Sequence, residues 1–238
     1  MGNETSVNNN RNDEILLIDK PAGISSFDVI RKLRLKLGVR KLGHAGTLDP
    51  LASGLLIVAV GDATKKLKEL LGLDKTYEME ILLGRRTETG DMEGKVLEEA
   101  EVPNVEADRA RNVLGGLEGE VELNAPIYSA LKVKGVPMYK LARRGEKVEP
   151  RKRKMKIRSL KLLTRRPIRL KSISNGASPE GKLFILKVLL ECGSGAYARS
   201  VAEEVGKRLG FPATVYSLRR TRVGNYRVED AEKIASSK

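Results

Sequence analysis

Apolar side chains recur along the sequence at two spacings, one typical of strands and one typical of helices. The run from Ile15 to Ile18 predicts a short buried strand, and the run from Leu55 to Val60 predicts another. Residues 77–83 carry apolar side chains at every second position, which is the period of a half-buried strand. Residues 183–191 predict a further strand, so strand segments are distributed over most of the chain.

Apolar side chains four residues apart predict two main helices. The first begins after Ser25, which forms a capping box with Asp28, and it ends at Gly38. The second carries an apolar stripe over residues 197–209 and ends at Gly210. Shorter helices are predicted at residues 65–71 and 107–117.

The order of these elements predicts an α+β fold. Strands and helices are mixed without strict alternation, which favours a mixed, mostly antiparallel central sheet flanked by helices. We expect residues 1–12 to form a disordered tail and residues 13–238 to form a single domain. An insertion is expected at about residues 124–156, and residues 172–182 are expected to form a loop.

The net charge of +14 is concentrated in one segment. Residues 140–171 contain 15 Lys and Arg but only two acidic residues, Glu146 and Glu149. A local field of this kind favours a polyanionic partner, and nucleic acid is the leading candidate. A solvated basic face and a membrane surface are the alternatives. Pro150, Pro167 and the lack of a clear amphipathic helix disfavour the membrane.

The scarcity of cysteine and histidine limits the possible chemistry. Cys192 is the only cysteine and His44 the only histidine, so an internal disulfide is impossible and a zinc site is disfavoured. No apolar run reaches the roughly 18 residues of a membrane span. The polar N-terminus lacks the apolar core of a signal peptide. These observations predict a cytoplasmic protein without a metal site or membrane attachment.

Residues 43–50 combine turn-forming residues with groups that could act chemically. The segment places His44, Thr47 and Asp49 beside two glycines, which allow a ligand to approach the backbone closely. An isolated aspartate before proline is more often a plain turn residue. A serine–histidine–acid triad is disfavoured because the G-x-S-x-G elbow is absent, and the segment does not match a phosphate-binding loop.

Two further groups could contribute to a site. Tyr197 and Arg199 follow a flexible turn at a strand-to-helix junction, and Tyr77 enters a strand. Alternatively, both tyrosines belong to the apolar core and Arg199 is solvated. With so few aromatic residues in the chain, few side chains are able to stack on bases.

Several blocks of sequence resemble one known family when they are taken in order. The blocks are DKPAGISS at 19–26, GHAGTLDPLASG at 43–54, KTY at 75–77, GRRTETGD at 84–91, YSALK at 128–132 and LRRTRVG at 218–224. In this order they resemble the TruB family of tRNA pseudouridine synthases, and the resemblance covers about residues 13–233.

The resemblance implies a pseudouridine-synthase fold and a reaction. The protein would isomerise uridine-55 in the T-loop of tRNA to pseudouridine without a cofactor, after flipping the nucleotide out of its stack. We expect a monomer, because nothing in the sequence suggests an oligomer. Asp49 would be the catalytic carboxylate, acting on the sugar either as a nucleophile or as a base. Arg199 would pair with Asp49 and keep it ionised, and Tyr197 would handle a proton at the base.

The resemblance also implies substrate contacts. His44 would fill the space that the flipped base leaves, Tyr77 would stack on the uracil, and Lys20 would support the first motif. Within an RNA-clasping insertion, cations between Lys140 and Lys156 would bind phosphates. The remaining residues implied to bind substrate are Gly43, Thr47 and Lys132.

Two departures from the family pattern and two alternative functions accompany the resemblance. Alanines stand at positions 196 and 198, where relatives often carry threonine and a branched apolar residue. We also expect no C-terminal RNA-binding domain of the PUA type, a loss that the basic segment could offset. The alternatives are a non-catalytic tRNA-binding or tRNA-folding protein and a guide-RNA-dependent pseudouridine synthase.

Overall fold

The computed structural model describes residues 13–164, 168–170 and 183–234. The tail predicted at 1–12 and the loop predicted at 172–182 lie outside these residues.

Strands and helices of the described residues follow the mixed order that the sequence predicts. The strands are β1 (Ile15–Lys20), β2 (Leu42–Ala45), β3 (Ser53–Val60), β4 (Lys75–Leu83), β5 (Arg85–Thr87), β6 (Val96–Glu99), β7 (Gly119–Asn124), β8 (Lys132–Val133), β9 (Val136–Pro137), β10 (Lys152–Leu162), β11 (Ile168–Leu170), β12 (Leu183–Cys192), β13 (Ala213–Val223), β14 (Tyr226–Arg227) and β15 (Glu232–Lys233). The α-helices are α1 (Ser26–Leu37), α2 (Leu67–Gly72), α3 (Ala107–Gly115), α4 (Met138–Arg143) and α5 (Ala198–Leu209), and 3₁₀ helices span Gly61–Lys66 and Val228–Asp230.

The chain divides into two compact units, and the first comprises residues 1–72 and 226–238. Its described part is built on β3, which pairs antiparallel with both β1 and β2, while β15 pairs parallel with β1. Every residue of β3 from Gly54 to Val60 is buried. The single domain expected from residue 13 onward stays a prediction.

Helix α1 begins as the sequence predicts. The Ser25 hydroxyl accepts a hydrogen bond from the Asp28 amide at 3.1 Å, and the Asp28 carboxylate accepts one from the Ser25 amide at 2.9 Å. Both bonds of the capping box are therefore present. Gly38 ends the helix in the left-handed conformation, with φ of +66°.

The second unit comprises residues 73–225 and contains an antiparallel sheet in the order β13, β4, β12, β10, β7, with β11 beside β12. The half-buried alternation predicted for residues 77–83 describes only the first part of β4. From Ile81 to Leu83 every side chain is buried, because the strand is central in this sheet and is covered on both faces.

Helix α5 packs against β13, and its buried face includes Val201, Val205 and Leu209. Gly206 allows the close approach, since a Cβ at this position would lie 2.3 Å from the Cβ of Ala213. Gly210 ends the helix with φ of +84°. None of the described helices is both long and apolar enough to span a bilayer.

The predicted insertion lies between β7 and β10. It contains the β8–β9 hairpin, whose turn residues Lys134 and Gly135 both have positive φ, and the short helix α4. Residues 152–156, at the end of the predicted insertion, belong to β10 of the main sheet. Their alternation explains the difference, because Met155 is buried while the lysines on either side of it are exposed.

Candidate active site

The turn between β2 and β3 carries Asp49. Gly46 has φ of +86°, and the Ala52 amide donates to the Asp49 carbonyl oxygen at 3.0 Å. The Asp49 side chain is half-buried rather than fully exposed to solvent. The carboxylate therefore stands on a turn that its own backbone closes.

Lys20, at the end of β1, supports the turn from one side. Its side chain is 0% exposed, and its Nζ donates to the carbonyl oxygens of Ile24 at 2.6 Å and Pro50 at 3.4 Å. The Gly23 amide donates to the same Pro50 oxygen at 2.8 Å. These bonds fix the backbone directly after Asp49, while the role of Lys20 in substrate binding stays a prediction.

Ser26 supports the turn from the other side, a role that the sequence analysis missed. Its buried hydroxyl accepts a hydrogen bond from the Leu48 amide at 2.8 Å and donates to the Leu48 carbonyl oxygen at 3.0 Å. The backbone is consequently held both before and after Asp49. The available signal was the position of Ser26 in the same sequence block as Lys20.

The remaining residues predicted on this loop are in the same unit as Asp49. Gly43 lies in β2 beside the Leu67 side chain, since a Cβ there would lie 2.6 Å from Leu67 Cδ1. His44 lies in β2 and is half-buried, whereas Thr47 is exposed. Their contacts with substrate stay predictions.

Tyr77 lies in β4 of the second unit. It is half-buried, opposite Leu190 of β12 and opposite Arg220 of β13. The Arg220 side chain is 1% exposed. Tyr77 is therefore placed on the middle one of three paired strands, with a buried cation opposite it.

Tyr197 and Arg199 mark the start of α5. Tyr197 is the N-cap residue with extended backbone angles, and its carbonyl oxygen accepts the Val201 amide at 3.1 Å. The sequence predicts Tyr197 on the helical stripe, but the helix begins one residue later. Gly195, with φ of +82°, directs the chain from the end of β12 into this junction.

Arg199 is buried, at 8% exposure, so it is not solvated. Its Nη1 donates to the Thr89 carbonyl oxygen at 2.8 Å, and its Nη2 donates to the Tyr128 carbonyl oxygen at 3.0 Å. The Asp91 carboxylate lies 4.0 Å from Nη1. The pairing of Arg199 with Asp49, which belongs to the other unit, stays a prediction.

Asp91 is a second residue that the sequence analysis missed. It is 4% exposed, and its Oδ1 accepts hydrogen bonds from the Thr89 hydroxyl at 2.5 Å and from the Glu93 amide at 3.1 Å. Gly90 lies beside Arg199 and has φ of +76°, a backbone conformation that favours glycine. Asp91 and Gly90 both lie in the recognised block at residues 84–91.

Lys132 and the basic segment lie farther along the second unit. Lys132 is exposed in the β8–β9 hairpin, and Lys140 is exposed on α4. The Arg143 guanidinium lies 5.7 Å from the centroid of the Tyr139 ring. The insertion therefore presents cations to solvent, as the sequence predicts.

Strand β10 carries the same kind of side chains but faces acidic neighbours. Lys152 is 3.6 Å from Glu122 of β7, and Arg158 is 2.6 Å from Asp74. These acids are distant in sequence, so the charge count could not reveal them. The basic segment is thus partly neutralised along β10.

Other reactive groups are few in the described part of the chain. It contains no cluster of three or more His, Cys, Asp or Glu side chains arranged to hold a metal ion. Burial raises the pKa of the Cys192 thiol to about 12, so the thiol stays protonated near neutral pH. The Asp49 carboxylate is a group that can act as a base or as a nucleophile.

A family model described as TruB family pseudouridylate synthase (N terminal domain) matches residues 34–197. This match spans more than half of the chain. The chain belongs to the TruB family of pseudouridylate synthases. The predicted family membership and the predicted class of enzyme, an isomerase, are confirmed.

Curated members of the family extend the TruB match over nearly the whole chain. A tRNA pseudouridine synthase B of Endomicrobium trichonymphae is 40% identical over 222 residues, which are 93% of this chain and 90% of the relative. One from Opitutus terrae is 39% identical, over 92% of this chain and 84% of the relative. A third, from Cupriavidus taiwanensis, is 42% identical, and the match covers 66% of its length.

Solved structures share the TruB fold. A Cbf5–Nop10–Gar1 complex matches with a TM-score of 0.63 at 27% identity over 92% of this chain. An H/ACA RNP bound to a substrate RNA containing 2′-deoxyuridine matches with a TM-score of 0.60 at 25% identity. This chain spans about half the length of those chains. The predicted α+β pseudouridine-synthase fold is confirmed.

Proposed function

We propose that this TruB-family chain isomerises uridine-55 in the T-loop of tRNA to pseudouridine, acting as a monomer in the cytoplasm. The C1′–N1 bond breaks, the uracil rotates, a C1′–C5 bond forms and the C5 proton moves to N1. No atom is gained or lost overall, so the reaction consumes no oxidant, reductant or co-substrate. The observation that carries the proposal is the Asp49 turn, held on both sides by Lys20 and Ser26.

The proposed reaction begins with extrusion of the target nucleotide. Flipping costs a few kcal/mol, and stacking on an aromatic side chain recovers part of this cost. We assign the stacking to Tyr77 and the filling of the vacated space to His44. Both are half-buried, which leaves part of each side chain open to a ligand.

The chemical step is assigned to Asp49. Its carboxylate attacks the sugar or removes a sugar proton, and either route needs the ionised form. Arg199 would favour that form by charge, while Tyr197 handles the proton at C5. Arg199 suits this task because hydrogen bonds to Thr89 and Tyr128 already fix its guanidinium.

Binding is assigned to the cations of the insertion, whose partner is the T-stem-loop. Lys132, Lys140 and Lys147 are exposed and would contact phosphates. Gly43 and Thr47 would lie near the flipped nucleotide. Sequence would then be read through loop shape and the extruded base.

Replacing the catalytic carboxylate tests the proposed reaction. Purified protein is incubated with a transcribed T-arm stem-loop without guide RNA, and pseudouridine is mapped chemically. We expect Asp49→Asn to lower the rate by at least about 1,000-fold while RNA affinity changes little. Asp108→Asn, an exposed control on α3, should convert RNA at the wild-type rate. Conversion by Asp49→Asn at that rate would refute the assignment.

The same assay separates the two alternative functions. Binding without conversion by the wild-type protein would indicate a tRNA-binding or tRNA-folding protein. Conversion only when guide RNA is added would indicate a guide-dependent enzyme, an alternative raised by the structural match to an H/ACA RNP. Unaided conversion is favoured because the curated relative matched over 90% of its length is named a tRNA pseudouridine synthase.

Substitutions that remove positive charge test the insertion as the proposed RNA-binding surface. Lys140→Gln with Lys147→Gln should weaken binding and reduce the salt dependence of log K by about 0.7–0.9 for each phosphate that the variant no longer neutralises. The matched control is Arg158→Gln with Lys187→Gln, because these two cations already pair with Asp74 and Glu80. Equal slopes for the two double variants would exclude the insertion as the phosphate-binding surface.

A further inference from the structure

A side-chain hydrogen bond joins the predicted insertion to the β5–β6 hairpin. The Tyr128 hydroxyl donates to Glu88 Oε1 at 2.8 Å. This bond raises the pKa of the Tyr128 hydroxyl, so the donor keeps its proton near neutral pH. Glu88 precedes the chain segment that binds Arg199, and Tyr128 itself supplies a carbonyl oxygen to Arg199.

These contacts form a closed network of four residues. Glu88 is followed in the chain by Thr89, whose carbonyl oxygen accepts a hydrogen bond from Arg199 Nη1 at 2.8 Å. Arg199 Nη2 donates to the Tyr128 carbonyl oxygen at 3.0 Å, and the Tyr128 hydroxyl donates to the Glu88 carboxylate. Two segments far apart in sequence therefore hold the guanidinium, and the Tyr128–Glu88 bond is a side-chain tie between them.

The basic helix α4 is attached to the same segment. The Met138 amide donates to the Leu131 carbonyl oxygen at 2.7 Å, and the Tyr139 amide donates to the Ser129 carbonyl oxygen at 3.1 Å. Met138 is completely buried. A displacement of α4 would thus be transmitted to the segment that contacts Arg199.

The segment that contains Tyr128 and Ser129 has one energetically unfavourable feature. The Ser129 hydroxyl is buried, at 5% residue exposure, and bonds to no residue within the described ranges. A buried hydroxyl without a partner disfavours the conformation that contains it. Contacts outside Ser129 must therefore stabilise this conformation, and the Tyr128–Glu88 bond is suited to do so.

We propose that Tyr128 and Glu88 are positioning residues that hold the insertion against the β5–β6 hairpin and thereby seat the Arg199 guanidinium for catalysis. The proposal rests on the proposed function, because it assigns Arg199 a role in the reaction. It adds that engagement of RNA by α4 and the position of Arg199 are coupled through Tyr128.

Kinetics of four variants test the proposal. Tyr128→Phe and Glu88→Ala should each lower kcat about 3- to 10-fold, the effect of losing one hydrogen bond, with KM for the stem-loop changed less than about twofold. The double variant should be no slower than either single variant, since both remove one bond. Glu88→Gln keeps an acceptor oxygen and should restore kcat to within about twofold of wild type.

Two controls make the same chemical changes elsewhere in this unit. Tyr216→Phe removes a hydroxyl on β13, and Glu98→Ala removes an exposed ion-pair partner of Arg86 on the same hairpin as Glu88. Both should leave kcat unchanged. Full kcat in Tyr128→Phe, additive losses in the double variant, or a loss expressed only in KM would each overturn the proposal.

Hydrogen exchange of the free protein provides a readout that needs no activity. Tyr128→Phe should speed amide exchange both in α4 and in the first turn of α5, whereas Tyr216→Phe should change neither. If wild-type protein converts no RNA, the proposed function fails, and exchange alone decides on the Tyr128–Glu88 bond. Unchanged exchange at the start of α5 would refute the coupling.

Discussion

Lys20 in the first unit and Arg199 in the second are both buried cations that donate hydrogen bonds to main-chain carbonyl oxygens, yet they fix the backbone differently. Lys20 donates to carbonyls at Pro21, Ile24 and Pro50, two of them within four residues of its own position. Arg199 donates to two segments that are 110 and 71 residues away in sequence.

The difference follows from the two head groups. An ammonium is a compact charge whose three donors can gather nearby carbonyls. A guanidinium is a rigid planar fork that can join two separate segments while a carboxylate such as Asp91 stands beside it. Lys20 therefore stabilises a local turn, whereas Arg199 holds together two segments of its unit that are distant in sequence.

For these two cations, the larger effect is expected when the guanidinium of Arg199 is replaced but its charge is kept. Arg199→Lys cannot reach both carbonyl oxygens, so we expect catalysis to fall by at least about 100-fold. Single-turnover conversion of the T-arm stem-loop measures this loss. Arg109→Lys is the control, because Arg109 donates to one carbonyl, that of Leu209. Activity of Arg199→Lys near the wild-type level would show that charge alone suffices.

An intermediate effect is expected from Lys20→Met, which keeps the side-chain volume but removes the donors. Buried carbonyl oxygens then lose their partner, so the free energy of unfolding should fall by about 1–3 kcal/mol. Urea denaturation measures the change, with Lys36→Met, an exposed position on α1, as the control. Unaltered stability would mean that the turn does not depend on Lys20.

A smaller effect separates the two adjacent serines. Ser25→Ala removes the helix cap and Ser26→Ala removes the bonds to Leu48, so each should lower stability by about 1 kcal/mol. Only Ser26→Ala should also slow pseudouridine formation, because only Ser26 holds the backbone beside Asp49. Thermal denaturation and the conversion assay together test this; equal rates for the two variants would contradict it.

The smallest effect near neutral pH concerns the Cys192 thiol, which lies opposite another buried cation, Lys75. Burial lowers the pKa of Lys75, and burial raises the pKa of Cys192 to about 12, above the value of about 8.5 expected for an unfolded cysteine. The folded state thus retains the thiol proton more strongly. The thiol's contribution to stability is complete below about pH 8.5 and is lost as the pH rises toward 12.

Urea midpoints at about pH 7 and about pH 10 check this sign. From about pH 7 to about pH 10, the free energy of unfolding should fall more in the wild-type protein than in Cys192→Ala. The difference between the two proteins should be at most about 1.4 kcal/mol per pH unit. An equal loss in both proteins would show that the thiol is not the group responsible.

Much of the local structure could be read from the sequence because short-range chemistry determines it. Ser25 and Asp28 form the predicted capping box, and Gly38 and Gly210 end the two main helices in the left-handed conformation. Order and spacing of the sequence blocks also sufficed to indicate the family and the fold. The Asp49 loop was recognisable before its geometry was known, because it lies in one of these sequence blocks.

What the sequence by itself determined was the two main helices, the strands β1, β3, β4 and β12, the class of enzyme and the chemical groups of the candidate site. Only the tertiary structure decided that Ser26 holds Leu48, that Asp91 and Tyr128 surround Arg199, and that Glu122 faces Lys152. The reason is physical. Caps and periodicities depend on residues a few positions apart, whereas these contacts depend on strand register and helix packing, which bring together residues that are distant along the chain.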